Sequence, residues 1–175
     1  MQGKKKMVRG KNEKIAALVT ALAVMALALL PVSDWDGVAI HAHCPLQGRL
    51  LYPFFHAGII HAALNAWVLL SIVFIYEVSM GRLILAYIVA VTIPVDSLET
   101  LIPAMGKPTV GLSGCIFFLF GSLSFSVARK LYYQSWMAFY LALGFLPHAM
   151  NGWLHLYCYA AGLLLACLQK PFERR

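Results

Sequence analysis

The chain has 175 residues, 61% of them hydrophobic and only 12% charged, with a mean hydropathy of +0.76. One soluble domain of this size has too little interior to hide that much apolar side chain, so a soluble globular fold is excluded and a polytopic membrane protein is expected. The net charge of +7 fits a cytoplasmic anchor lying against anionic lipid and calls for no nucleic-acid partner.

In chain order, residues 1–14 ("MQGKKKMVRGKNEK") read as a basic cytoplasmic tail. The apolar run that follows is too long for a signal-peptide core and lacks a clear cleavage site, so it reads as a first span. Hydropathy places six spans at roughly 15–31, 56–77, 82–103, 113–128, 133–147 and 153–169. Together they make one all-α membrane domain over 15–169, followed by a short basic C-terminus at 170–175. Pro94, Asp96, Glu99 and Pro103 make the end of the third span irregular. The cysteines at 44, 115, 158 and 167 show no paired spacing, and three of them sit in apolar runs where a thiol behaves as a small hydrophobe.

The lysines and arginines orient the spans. With the N-terminus inside, the tail holds six, the inner loops hold Arg82, Arg129 and Lys130, and the C-terminus holds Lys170, Arg174 and Arg175. Only Arg49 and Lys107 then lie outside. The positive-inside rule therefore predicts that both termini are cytoplasmic.

Polar groups inside a span are costly and mark functional positions. Three clusters stand out: His56 to Asn65, Gly111 to Gly114, and Trp153 to Gly162. Ser113 lies 16 residues from Arg129, His155 lies 15 from Lys170, and His61 lies 16 from Glu77. At the helical rise these are depths of about 22–24 Å from the inner charges, in a hydrocarbon core of about 30 Å. All three clusters thus fall in one layer below the outer surface. A serine hydroxyl becomes a nucleophile when an imidazole takes its proton, and Ser113 with His155 could form such a pair. His61 and Asn65, four residues apart, share a helix face and can both donate to a developing oxyanion. Gly111 and Gly114 allow a tight turn and close approach around the serine. No acidic residue lies at this level, so the pair would be a dyad.

These residues resemble a known family. "GRLLYPFFHAGIIHAALNAW" carries a His-x4-His-x3-Asn pattern on the second span, "GLSG" opens the fourth, and the sixth has His155 followed by Gly162. Together, from about Arg49 to Gly162, they resemble a rhomboid intramembrane serine protease of the minimal six-helix bacterial type. The resemblance implies Ser113 as nucleophile and His155 as general base, with His61, Asn65 and the Ser113 backbone as oxyanion hole. It further implies that Phe117 lies against the histidine and that His56 helps hold the first external loop. Glu77 matches an acidic residue common near the inner end of the second span. The chain departs from the family pattern in three places. Its first external loop is short, Gly48 replaces a tryptophan before Arg49, and Cys158 replaces a glycine three residues after His155.

Other readings of the same residues stay open. Ser113 could cap the fourth helix, while His155, His61 and Asn65 could be interhelical glue. "HAHC" (His41 to Cys44) could bind zinc or copper, but it lacks a fourth ligand and standard spacing, so no metal site is expected. The expected reaction is hydrolysis of a peptide bond in the membrane-spanning segment of another protein, near its external end, in a water-filled cavity and without a cofactor. Two rivals remain: an inactive member of the same fold that binds membrane proteins, and a small transporter or metal-handling protein that uses the buried histidines. The expected location is a bacterial inner membrane, and the sequence fixes neither substrate nor oligomeric state.

Overall fold

The computed structural model describes residues 10–146 and 151–169. Lys4, Lys5, Lys6, Arg9, His148, Lys170, Arg174 and Arg175, and with them most of the expected basic tails, lie outside the described residues. Among those described, the chain is all-helical: α1 (Lys11–Leu27), α2 (Leu46–Leu51), α3 (Ile59–Ile75), α4 (Met80–Val91), α5 (Val95–Glu99), α6 (Ser113–Leu123), α7 (Lys130–Leu143) and α8 (Gly152–Gln169), with a 3-10 turn at Pro103–Gly106. An isolated antiparallel bridge pairs Ile40 with Thr109.

Each expected span contains a helix, but several helices stop early, each for a local reason. α1 ends ahead of Pro31, which has no N–H and disfavours helical geometry at Leu30. The third expected span, 82–103, is not one helix. α4 ends at Val91, where the Thr92 hydroxyl donates back to the Ile88 carbonyl at 2.7 Å and Pro94 blocks continuation. α6 gives way at Ser124, whose hydroxyl donates to the Phe120 carbonyl at 3.5 Å. By length and composition, α8 is the one helix among the described residues long and apolar enough to cross a membrane, while α3, α4 and α6 are shorter apolar helices.

The helices are apolar outside as well as inside: Leu22 of α1 is 62% exposed and Leu168 of α8 is 67% exposed. At the centre stands α6, with nine of its eleven residues buried. Its closest partner is α8. A methyl group at Gly121 would fall onto the Tyr159 carbonyl and lie 2.7 Å from the Leu163 nitrogen, and one at Gly162 would fall onto the Phe118 carbonyl. Only bare backbone on both helices allows this approach. α7 is attached more lightly, burying only Met137 and Leu141. Its N-terminal half is held by hydrogen bonds from the Tyr133 hydroxyl to the Phe120 carbonyl at 2.8 Å and from the Tyr159 hydroxyl to the Gln134 amide oxygen.

On the other flank, Ala21 and Val24 of α1 pack on Ala66 of α3. Buried Glu13 accepts from the Met80 N–H at 3.2 Å, placing a carboxylate at the start of α4 where the helix dipole favours it. The loop between α1 and α2 is pinned from several sides. Arg49 donates to the Ile93 carbonyl at 2.8 Å and pairs with Asp96, which also accepts from the His43 backbone N–H. That N–H, followed by the guanidinium, holds the Asp96 carboxyl below its usual range. The loop backbone lies directly over Gly48, where a methyl group would come 2.6 Å from the Ala39 carbonyl oxygen. A tryptophan there would have to displace the loop. His43 is thus engaged with Asp96 and Cys44 is buried, and among the described residues no three His, Cys, Asp or Glu side chains gather to hold a metal.

Candidate active site

Ser113 is the first residue of α6, and Leu112 occupies the cap position with no side-chain cap hydrogen bond. The serine hydroxyl is therefore not used to cap its helix. It faces α8 instead, where Ser113 Oγ and His155 Nε2 lie 2.8 Å apart. These atoms come from residues 42 apart in sequence. Their meeting follows from the close α6–α8 approach that the glycines permit.

The His155 ring is 3% exposed and stacks on Phe117, with centroids 4.5 Å apart and planes 16° from parallel. Phe117 lies one helical turn beyond Ser113, so one face of α6 presents both the hydroxyl and the ring that orients its partner. His155 Nδ1 is buried without a hydrogen-bond partner among the described residues and borders Gly144, where a methyl group would lie 3.1 Å away. Cys158 is fully buried beside Gly114, its sulfur 3.4 Å from a methyl group placed there. The same methyl group would lie 2.9 Å from the Tyr52 hydroxyl. The cysteine thus fits the contact without opening it.

Gly111 has φ +125°, a conformation that L side chains rarely adopt. A methyl group there would also come within 2.9 Å of His61 Cε1, so the turn before Ser113 passes directly against the His61 ring. His56 stands at the same turn. Its Nε2 accepts from the Leu112 N–H at 3.3 Å, which leaves Nδ1 to donate to the Phe54 carbonyl at 3.2 Å. Those two bonds define a neutral His56 with its proton on Nδ1. Its ring meets His61 edge-on at 4.9 Å. The Gly111 N–H donates to the Tyr52 carbonyl at 2.8 Å, completing the support of the turn.

Asn65 is buried, and its amide donates to the His61 carbonyl of its own helix at 2.9 Å. Among the described residues, no hydrogen bond joins His61 or Asn65 to Ser113. The Ile116 N–H is taken by the Leu112 carbonyl at 3.1 Å, so the N–H groups of Ser113, Gly114 and Cys115, with the second Asn65 N–H and the His61 ring, are donors that a ligand could use. Glu77 is exposed at the far end of α3, remote from this layer.

Several contributing residues were not anticipated from the sequence. Gly144 and Tyr52 border the dyad through contacts that no local pattern announces. Asn151 begins the α8 segment, and its side chain accepts from the Leu154 N–H at 3.2 Å. An asparagine just ahead of an apolar run is a helix-start signal that could have identified it.

Searches of curated proteins and of solved structures gave no significant match. The Rhomboid domain profile matches residues 46–171, a stretch that contains every residue of the site just described. With most of its length inside that match, the chain belongs to the rhomboid family and is an integral membrane protein.

Proposed function

We propose that this protein is an intramembrane serine endopeptidase that cleaves membrane-spanning segments of other proteins near their external ends. The rhomboid family consists generally of such proteases and includes inactive members, so the reading rests on the site. The observation that carries it is the 2.8 Å contact between Ser113 Oγ and His155 Nε2, with the imidazole stacked on Phe117. In the proposed topology six spans cross the membrane with both termini in the cytoplasm, in a bacterial inner membrane, and the dyad opens to the outside through water.

In this chemistry the Ser113 hydroxyl donates its proton to Nε2 as Oγ attacks the scissile carbonyl carbon. The oxyanion is received at the N-terminus of α6 by the Ser113 backbone N–H, with the His61 ring and the free Asn65 N–H completing the hole. His155 then gives its proton to the leaving amine, and water attacks the acyl-enzyme to release the second product and restore Oγ–H. No cofactor takes part. An intact helix engages its own carbonyls, so the substrate must unwind locally, and helix-weakening residues near the external end favour cleavage.

The test is labelling of the purified protein in lipid with a fluorophosphonate. Wild type is expected to label, while Ser113→Ala and His155→Ala remain unlabelled. Folded wild-type protein that fails to label would replace the protease reading with that of an inactive rhomboid which binds membrane proteins.

A further inference from the structure

Immediately outside the dyad, one hydrogen bond links the two segments that carry it. Thr109 precedes Ser113 by four residues, and Asn151 precedes His155 by four. The Asn151 side-chain N–H donates to Thr109 Oγ1 at 3.1 Å.

Both partners are fixed in their roles. Asn151 is buried, and its Oδ1 accepts from the Leu154 N–H at 3.2 Å while its own carbonyl accepts from the His155 N–H at 3.2 Å. Its amide therefore turns its oxygen toward α8 and its nitrogen toward Thr109. The Thr109 hydroxyl donates to the Lys107 carbonyl at 2.9 Å, which leaves its lone pairs for Asn151. The Thr109 backbone is in turn held by Ile40, with N–H to carbonyl distances of 2.9 Å in both directions.

Between Thr109 and Ser113 the chain is tied to Tyr52 through Gly111 and to His56 through Leu112. Those contacts fix it to the α2–α3 side of the molecule. At this end of the bundle, and apart from the dyad contact itself, the Thr109–Asn151 bond is the hydrogen bond among the described residues that ties the serine segment to α8. We propose that Asn151 and Thr109 are positioning residues that set the distance between Ser113 and His155 by clamping the start of α8 to the strand-like segment ahead of α6.

This rests on the protease reading, and the experiment separates the two. Thr109→Val keeps the shape and the Asn151 cap on α8 but removes the acceptor. Asn151→Ser keeps a capping side chain but cannot reach Thr109. Thr109→Ser keeps the hydroxyl. Fluorophosphonate labelling is followed against probe concentration, with thermal midpoints measured alongside.

Thr109→Val and Asn151→Ser should each lower the maximal labelling rate about tenfold, because small misplacements of a reacting pair carry large rate penalties. The half-saturating probe concentration should not change, and Thr109→Ser should label like wild type. The double variant should be no slower than either single one, since both remove the same contact. Should Thr109→Val fail to fold, Asn151→Ser gives the same reading. Wild-type rates in folded Thr109→Val or Asn151→Ser, or a Thr109→Ser as slow as Thr109→Val, would overturn the clamp alone. Absence of labelling in wild type would overturn the protease reading and the clamp with it.

Discussion

Phe117 determines how the His155 ring lies, because the stacked face leaves the imidazole little freedom to rotate away from Ser113. Ring contacts of this kind contribute about 1 kcal/mol beyond simple burial. Phe117→Leu is therefore expected to slow fluorophosphonate labelling about fivefold, while Phe117→Tyr keeps the stack and the rate, as labelling time courses would show. Ser113 and His155 could be singled out in the sequence, since the depth of each follows from counting to Arg129 and Lys170. A place for Phe117 against the histidine was implied only by the family resemblance. Thr109 and Asn151 were not singled out. Their bond spans 42 residues; Thr109 looks by itself like an ordinary loop residue, and Asn151 signals a helix start but no partner.

The α6–α8 pair is the element on which this geometry depends. Gly121→Ala would push a methyl group into the backbone of α8, and overpacking of this kind costs about 1–3 kcal/mol. A lower thermal midpoint is the expected result, with loss of labelling at temperatures where wild type still reacts. Gly81 in α4 has open space around it and serves as the control. There, Gly81→Ala should leave the midpoint unchanged or raise it slightly, since alanine favours helix over glycine. Hydropathy located the apolar runs behind these helices but not their ends. α4 stops at Val91 because Pro94 interrupts it and because Asp96 is drawn to Arg49 and His43, partners that lie far away in sequence. α6 stops at Ser124 through a back-bond from a residue that hydropathy treats as nearly neutral.

Across the whole molecule, Asp96 is an electrostatic junction joining the first loop, α2 and the exit from α4. Its carboxyl is held below the usual value of 3.8 in the folded state, first by the His43 N–H and then by Arg49. The folded protein thus binds this proton less readily than the unfolded chain. The stabilisation is fully present above the unfolded value and is lost as pH falls through the lower folded one. Asp96→Asn should accordingly lower the thermal midpoint at pH 7, and the gap to wild type should close toward pH 3 in paired melting curves.

Glu13 adds a constraint of order in time. The N–H that it caps lies 67 residues later in the chain, so α1 and α3 are synthesised while that carboxylate still lacks its place. Until Met80 emerges, the polar end of α1 is best kept in water at the membrane surface, because a carboxylate without donors is costly to bury. Formation of the first turn of α4 supplies the donor. The first turn of the third apolar helix thus adds the last tie on the first, whose far end already packs on α3 through Ala21 and Val24.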